Sequence, residues 1–516
     1  MSDLLLVPTR RVPPKGSVTK AIILPMADTK DLNVLLDAKI PIIGIESPDE
    51  ERVLAFLLRF AMQRNLSFYE WSVTRGLKLG GFGEHPPEAA AEYDDPEAVL
   101  KHISETKGPA LYVLCDFHPY LNGEPKNVRF LKEIALAHGR LGNIVVLVSH
   151  KLDIPAEIGR LSANLNLRMP NDEELMGMVR SQAQEWAEKH RGEKVRTDAR
   201  TLKKLIANLR GVSHADAALL IRHAIHRDGA ITESDIPEVN KLKFELMDAE
   251  GVLHFEYDTE RFNNVAGLDN LKSWLRLRKD AFIESAQDRP KGVLLLGVQG
   301  GGKSLAAKAV AGFWSIPLLR LDFGALYNKF FGETERNLRN SLKQAELMAP
   351  CVLWMDEIEK GLATGQSDNA TSQRVLGTLL TWMAENSNAV FIVATSNDIS
   401  GLPPELVRKG RLDEIFFVDL PNQAVREEIF RIHLAKRDLD PASFDLPALA
   451  NTALDFTGAE IEEAIVSARY LADARDGKIS QSDVIAALDR TYPISVLRAE
   501  SIQALRAWAK DRTVPA

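Results

Sequence analysis

An octapeptide that links an apolar run to a helix-like segment is the feature that most constrains how this chain can fold. It runs from Gly297 to Ser304 with the spacing G-x-x-x-x-G-K-S, after the apolar residues 293–296 and before the helix-like residues 305–310. A strand, a glycine loop and a helix in this order make a phosphate-binding P-loop. Its glycines let backbone N–H groups turn toward phosphate oxygens, at a helix N-terminus that already favours anions. The sequence therefore predicts a nucleoside triphosphate site.

Two side chains of the loop carry the expected chemistry, and two acids complete it. Lys303 is expected to neutralise the β- and γ-phosphates, and Ser304 to hold Mg²⁺. The apolar run 352–355 ends in Asp356 and Glu357, and such a strand places its terminal acids beside the phosphates. We expect Asp356 to bind Mg²⁺ and Glu357 to act as general base toward water. The loop residues expected around the phosphates are Gly297, Gln299, Gly300, Gly301, Gly302, Lys303, Ser304 and Leu305.

The composition is that of an ordinary globular chain. Of its 516 residues, 45% are hydrophobic and 26% are charged. That length predicts roughly two to four domains. The net charge of −8 argues against a main role in coating nucleic acid. Cys115 and Cys351 are expected to be reduced core thiols. No apolar run has the length of a membrane span, and a cytoplasmic location is the expectation.

Short apolar runs alternate with helix-like segments along both halves of the chain. This alternation predicts an α/β fold with parallel sheets. In the second half, the runs lie at 293–296, 318–321, 352–355, 390–394 and 416–420, and a helical module follows them. The expected domains are an α/β domain at 1–245, a P-loop domain at 258–421, a helical lid at 422–490, and a C-terminal helix with its tail at 491–516.

The first half follows the same order of parts as the second. Its apolar run 111–115 ends in Asp116, as 352–355 ends in Asp356, and further segments match in the same order. We interpret this order as an internal duplication; an unrelated α/β domain is the alternative. No Gly-Lys-Ser follows the first strand, and Phe117 stands where a second acid would be. The first copy is therefore expected to be unable to hydrolyse a nucleotide.

The motifs of the second half, taken in order, resemble those of the AAA ATPases, in the group that includes katanin, spastin and FtsH. The segment FNNVAGL at 262–268 is similar to the motif that opens the family's ATPase module. ATSN at 394–397 is similar to sensor 1, and LPPELVRKGRLD at 402–413 to the second region of homology. The resemblance covers about 262–489. It implies a P-loop NTPase parallel sheet with a C-terminal helical lid, preceded here by a degenerate AAA-like α/β domain.

The resemblance implies a site shared between subunits, with ATP and Mg²⁺ as its ligands. Asn397 would orient the attacking water or the γ-phosphate. Arg408 and Arg411 would be arginine fingers that reach a neighbour's nucleotide, the alternative being an exposed basic turn. Fingers supplied in trans need a neighbour for every site, and a ring provides one. The family expectation is a homo-hexameric ring.

The resemblance also implies contacts with the base and the ribose. The backbone that would contact adenine is that of Val265, Ala266 and Gly267. His433 would lie near the ribose, the alternative being an ordinary core histidine. Gly458 and Ala459 would form the sensor 2 turn, where this group uses small residues instead of arginine.

A pair of phenylalanines predicts how the protein would act on a partner. Phe330, Phe331 and Gly332 resemble the first pore loop of AAA proteins that pull on polypeptide, although packing of both rings in a core is the alternative. The resulting hypothesis is a motor that remodels or unfolds a protein client of unknown identity. A nucleotide-gated adaptor that does not thread its partner is a second hypothesis, and a nucleic-acid-directed ATPase is a third.

A narrower resemblance concerns the whole chain. A degenerate first module, an active AAA module and a closing helix at 505–512 resemble the uncharacterised AAA proteins of cyanobacteria, algal plastid genomes and other bacteria. The segment WMDEIEK at 354–360 also suits that group better than katanin. Because the chain has no H-E-x-x-H motif, it is not expected to degrade a client by itself.

Overall fold

Two parallel sheets, one in each half of the chain, confirm the predicted α/β class. The computed structural model describes residues 26–80, 93–247, 252–257, 259, 262–284, 288–327, 333–362, 369–399, 401–406, 408, 410–475 and 477–516. The chain divides into two units, the first comprising 1–171 and 213–217, and the second comprising 172–212 and 218–516. This division falls inside the expected 1–245 domain, and the domain boundaries given above stay predictions.

The first unit alternates helices and strands. Its elements are α1 (Met26–Asp37), β1 (Ile42–Glu46), α2 (Glu50–Gln63), β2 (Ser67–Ser72), β3 (Gly76–Leu79), α3 (Pro96–Glu105), β4 (Ala110–Cys115), a 3₁₀ turn (His118–Tyr120), α4 (Pro125–Leu141), β5 (Ile144–Ser149), α5 (Ala156–Gly159) and β6 (Ser162–Asn164). The sheet order is β3-β2-β4-β5-β1-β6, and only β3 pairs antiparallel within it. Every residue of β4 and β5 is buried, as expected for strands that helices cover on both faces.

The second unit begins with a helical region. This region contains α6 (Asp172–Lys189), β7 (Arg196–Thr197), α7 (Ala199–Asn208), α8 (His214–His226, whose first residues belong to the first unit), β8 (Ala230–Ile231) and α9 (Asp235–Leu246). The short strands β7 and β8 pair with each other in parallel.

The P-loop domain follows. Its elements are β9 (Leu253–Glu256), a 3₁₀ turn (Phe262–Asn264), α10 (Asp269–Glu284), β10 (Gly292–Gly297), α11 (Lys303–Trp314), β11 (Leu318–Leu321), α12 (Phe323–Tyr327), α13 (Glu333–Leu347), β12 (Cys351–Met355), α14 (Ile358–Leu362), α15 (Asn369–Glu385), β13 (Val390–Ser396) and β14 (Glu414–Val418). The lid and the tail comprise α16 (Gln423–Ala435), a 3₁₀ turn (Pro441–Ser443), α17 (Leu446–Thr452), α18 (Gly458–Asp473), α19 (Gln481–Asp489), α20 (Ile494–Leu497), α21 (Ala499–Ala509) and β15 (Val514–Pro515).

The two large sheets share one strand order. The second sheet runs β15-β14-β10-β13-β12-β11-β9, with β9 antiparallel and the other neighbours parallel. Without β15, the second sheet has five parallel strands in the order β14-β10-β13-β12-β11, and the first sheet has the corresponding order β6-β1-β5-β4-β2. In both sheets, one antiparallel strand lies at the same edge, β9 beside β11 and β3 beside β2. Helices follow the last long parallel strand of each sheet, α6–α9 after β6 and α16–α21 after β14. These common features support the interpretation of the two halves as duplicated modules.

The C-terminal tail closes one edge of the second sheet. Val514 and Pro515 of β15 pair in parallel with Phe416 and Phe417 of β14. Arg506 of α21 forms a two-pronged ion pair with Asp419, with a shortest N–O distance of 2.7 Å. The tail is therefore part of the P-loop domain's sheet. Among the described residues, no helix is both long and apolar enough to cross a membrane.

Candidate functional site

The site lies where three neighbouring parallel strands end. β13 lies between β10 and β12 in the sheet, so the P-loop after β10, the acids after β12 and Asn397 after β13 reach the same edge. The direction in which successive strands are added to the sheet also reverses here, because β11, β12 and β13 lie on one side of β10 and β14 lies on the other. Ligands of open α/β sheets bind at such a switch point.

Three glycines of the P-loop are required by close approach or by backbone conformation. A Cβ on Gly297 would lie 2.0 Å from the Val418 carbonyl oxygen, so β14 can pair closely only with glycine there. Gly300 has φ +78°, and a Cβ would lie 2.9 Å from Thr457 Oγ1. Gly302 has φ +93° with open space around it, and it precedes the first turn of α11. The loop thus leaves room at a helix N-terminus, as a phosphate needs.

Lys303 lies folded over its own loop. Its side chain is buried, and Nζ donates to the carbonyl oxygens of Gly297 at 2.9 Å and Val298 at 2.7 Å. Burial lowers the pKa of Lys303 to about 8, while the nearby carboxylates of Glu359, Asp356 and Glu357 oppose that shift. An anion placed in the loop would compensate the buried charge, which is the chemistry expected of a P-loop lysine.

Asp356 is held by two hydroxyl groups. Its Oδ1 accepts from Ser304 Oγ at 3.2 Å and from Thr395 Oγ1 at 2.5 Å. Thr395 Oγ1 in turn accepts from the backbone N–H of Glu357 at 3.0 Å. The structure therefore brings together the two residues predicted to hold Mg²⁺. Thr395 of the adjacent strand fixes one of them, Asp356.

Glu357 presents its carboxylate between two donors. Its backbone has φ +48°, a left-handed conformation that costs a non-glycine residue roughly 1–2 kcal/mol. Oε1 accepts from Asn397 Nδ2 at 3.1 Å, and Oε2 from Lys360 Nζ at 2.5 Å. The backbone N–H of Asn397 donates to Glu359 Oε1 at 3.1 Å. The strained backbone directs the acid toward the edge where the phosphates are expected.

Three residues of this network were not predicted from the sequence. They are Thr395, Glu359 and Lys360, each in contact with a residue that was predicted. Thr395 and Glu359 are buried polar residues, at 1% and 8% exposure. The available signal for all three was their place within three residues of a predicted site residue, inside the same motifs.

The lid and the segment before α10 approach the P-loop. The backbone N–H of Ala459, at the start of α18, donates to the Gly300 carbonyl at 3.3 Å. Gly267 has φ +65°, and a Cβ there would lie 3.1 Å from the Val425 side chain of α16. The Val265 carbonyl accepts from Lys272 Nζ at 2.7 Å. Of the backbone predicted to face adenine, Gly267 thus lies close to the first helix of the lid, and Val265 is hydrogen-bonded to α10. The roles assigned to Val265, Ala266, Gly267, Gly458 and Ala459 stay predictions.

His433 lies on α16 and pairs with the neighbouring lid helix. Its Nδ1 is 3.3 Å from Glu462 Oε1 on α18, and the same carboxylate accepts from Arg437 at 2.9 Å. Burial lowers the pKa of His433, although Glu462 opposes the shift. These contacts support the core-histidine alternative, and the ribose contact stays a prediction.

The two candidate arginine fingers differ in their surroundings. Arg408 is exposed, whereas Arg411 is half-buried and donates to the carbonyl of Glu405. Asp413 anchors the end of this segment, because its carboxylate accepts from the backbone N–H of Gly292 at 3.0 Å. The predicted pore-loop residues Phe330, Phe331 and Gly332 lie outside the described residues.

The residues present fit a nucleotide with a divalent cation. Gly302 offers open space at a helix N-terminus, and Lys303 supplies a buried ammonium group. Ser304 and Asp356 offer neighbouring oxygen ligands, which are the kind that Mg²⁺ prefers.

Comparison with known proteins assigns families to each part. The model of the ATPase family associated with various cellular activities (AAA) matches residues 293–420. The models of the SpoVK-like AAA ATPase N-terminal domain and second domain match 28–167 and 173–250. These matches confirm the AAA resemblance of the second half, and they divide the preceding region in two.

The relatives agree with this assignment. The chain is 34% identical over 500 residues to the uncharacterized AAA domain-containing protein ycf46 of Guillardia theta, covering 94% of this chain and 95% of the relative. Two other matches cover less of the chain. The ATP-dependent zinc metalloprotease FtsH 2 of Bdellovibrio bacteriovorus is 32% identical over 44% of this chain and 39% of the relative. The proteasome-activating nucleotidase of Aeropyrum pernix is 37% identical over 40% of this chain and 53% of the relative. The chain therefore belongs to the AAA ATPase family, with SpoVK-like N-terminal and second domains ahead of its AAA domain.

Proposed function

We propose that this protein hydrolyses ATP at the P-loop of its AAA domain and uses the energy to remodel a protein client. The observation that carries the proposal is the connected network of Ser304, Asp356, Thr395, Glu357 and Asn397 at the end of three adjacent strands. This network sets two metal-binding oxygens beside a carboxylate that can act as general base. It is the arrangement that phosphoryl transfer to water requires.

Each residue has a role that follows from its chemistry. Lys303 would bind the β- and γ-phosphate oxygens, and Ser304 and Asp356 would hold Mg²⁺. A bound Mg²⁺ would neutralise charge that develops on the phosphates. Glu357 accepts a proton from the attacking water, and the Asn397 amide keeps that carboxylate in place.

The complete site is proposed to lie between subunits. Arg408 is exposed and is available to a neighbouring chain. A guanidinium supplied in trans would stabilise transition-state charge that Lys303 alone does not reach. We propose a homo-oligomeric ring, hexameric by family expectation, because a closed ring gives every site a neighbour. The cytoplasmic location expected from the sequence stays a prediction.

The proposed client is a protein. Among relatives of the AAA part are an ATP-dependent metalloprotease and a proteasome-activating nucleotidase. Their names associate this domain with work on polypeptides, and the net charge of −8 disfavours a nucleic-acid partner. Phe330 is the residue proposed to grip the extended client chain.

Threading can be tested with a fluorescent protein that carries a long unstructured extension. The parent protein should unfold it in the presence of ATP, and loss of fluorescence reports the rate. Phe330→Ala should keep ATP turnover but lose most of this unfolding. Equal unfolding rates for the two proteins would reject the threading motor and favour the nucleotide-gated adaptor.

A further inference from the structure

Lys360 contacts the catalytic carboxylate although no function yet accounts for it. It lies on α14, one helical turn after Glu357, and its backbone N–H donates to the Glu357 carbonyl at 2.8 Å. Its Nζ also reaches Glu357 Oε2 at 2.5 Å. Backbone and side chain thus fix Lys360 to the same residue.

The two donors around Glu357 occupy both of its carboxylate oxygens. Asn397 Nδ2 takes Oε1 and Lys360 Nζ takes Oε2. A general base must hold the attacking water at hydrogen-bond distance through one of these oxygens. At Oε2, the ammonium group takes one of the acceptor positions at which that water could be held.

The ion pair between Lys360 and Glu357 can break at little cost in folding stability. The Lys360 side chain is 70% exposed and the Glu357 side chain 36% exposed. Ion pairs in this setting contribute little to folding stability. The pair can therefore change the position of Glu357 without being needed for the fold. Removing it should leave the domain intact.

We propose that Lys360 is a positioning residue that restrains Glu357 in its paired arrangement and thereby slows basal ATP hydrolysis. The inference rests on the proposed ATPase function. Withdrawal of Lys360 from Oε2 then frees that acceptor position for a water and lets the carboxylate turn toward it. Asn397, which uses the other oxygen, keeps the carboxylate directed toward the site during that exchange.

Steady-state ATP turnover of the purified full chain tests this restraint. Lys360→Gln should raise kcat about two- to fivefold, the factor that corresponds to the usual strength of an exposed ion pair. Because Lys360 acts on Glu357 and not on the nucleotide, KM for ATP should stay unchanged. Lys360→Arg keeps a cation within reach of Oε2 and should retain the parent's low kcat.

Two further variants isolate the effect. Lys189→Gln is the matched control, because it removes an exposed lysine from a pair with Glu185 at 3.0 Å on α6, and it should leave kcat unchanged. In a Glu357→Gln background, adding Lys360→Gln should change nothing, since the restrained carboxylate is absent.

The measured kcat and KM values test the Lys360 restraint separately from the proposed ATP hydrolysis. A parent protein without ATP turnover would reject the proposed function and this inference with it. If the parent is active, an unchanged or lower kcat in Lys360→Gln rejects the restraint alone. A raised KM would instead place Lys360 on the nucleotide and also overturn the proposal.

Discussion

At the residue scale, the positions of Asp356 and Glu357 both depend on the hydroxyl group of Thr395. Thr395 is 1% exposed, and its Oγ1 both donates to Asp356 and accepts from the Glu357 backbone. The predicted metal ligand and the proposed general base are therefore positioned by the same atom. Hydrogen-bond partners of metal ligands commonly fix the orientation of those ligands.

Replacing this hydroxyl should disable the site and leave the fold recognisable. Thr395→Val preserves the shape but leaves the Glu357 N–H without its acceptor, which costs about 1–3 kcal/mol of folding stability. We expect kcat for ATP to fall about 10- to 100-fold. Thr395→Ser keeps the hydroxyl and should stay near the parent. Parent-like turnover in Thr395→Val would show that Asp356 and Glu357 need no such support.

The same residue marks the limit of prediction from sequence. Asp356, Glu357 and Asn397 were predicted because each has a fixed place in a motif with a known role. Thr395 and Lys360 were not, since their roles come from contacts between β12, β13 and α14. Such contacts depend on which strands become neighbours, and a single motif does not encode that.

At the element scale, one buried ammonium group joins three helices. Lys243 of α9 is 1% exposed, and its Nζ donates to the carbonyls of Asn208 and Arg210 at the end of α7 and of Leu347 at the end of α13. The three acceptors match the three protons of the ammonium form. We call these three hydrogen bonds the Lys243 clamp. The clamp ties the second domain to α13, the helix that follows the predicted pore loop in the chain.

The clamp predicts a pH dependence of stability. Burial lowers the pKa of Lys243 from its ordinary value of 10.5 to about 7. Between these values the unfolded chain binds a proton that the folded chain releases, so the free energy of unfolding rises with pH. Nearby Cys351 does not titrate in this window, because burial raises its pKa to about 12.

Lys243→Met isolates this contribution. The variant leaves three carbonyls without their donor and should be less stable than the parent by about 1 kcal/mol or more. From pH 7 to pH 9 the parent's advantage should grow, by at most about 1.4 kcal/mol per pH unit. Urea unfolding of both proteins at pH 7, 8 and 9 measures it. A difference that stays constant with pH would contradict the assignment.

Local pattern predicted the central strands well and the edge strands poorly. The apolar runs at 318–321 and 352–355 became β11 and most of β12. The edge strands β9 and β15 were not predicted, because short half-exposed segments carry no clear periodicity. They become strands only through pairing with β11 and β14, which are distant in sequence.

At the scale of the whole molecule, the second of two sheets with matching order of parallel strands carries the predicted catalytic residues. In the first sheet, Ser149 Oγ donates to Asp116 at 2.8 Å, as Thr395 does to Asp356 in the second. The lysine and the second acid have no counterpart there. We therefore expect one nucleotide site per chain, and we propose that a neighbouring subunit supplies its arginine.

Mixing two inactive variants tests that assignment. Glu357→Gln keeps Arg408 but lacks the base, and Arg408→Ala keeps the base but lacks the finger. Each alone should turn over ATP at least about 10²-fold more slowly than the parent. In equal mixture, about one site in four combines an intact base with a neighbour's arginine, so activity should return. A mixture no more active than its components would place the arginine within its own subunit.

Glu357 is proposed to be the general base of this P-loop site, and the Glu357→Gln variant tests that role. ATP binding and ATP turnover of the variant are measured beside the parent protein. The variant should bind ATP as the parent does, while its turnover should fall by about 10²- to 10⁴-fold. Turnover at the parent's rate, with binding unchanged, would contradict it.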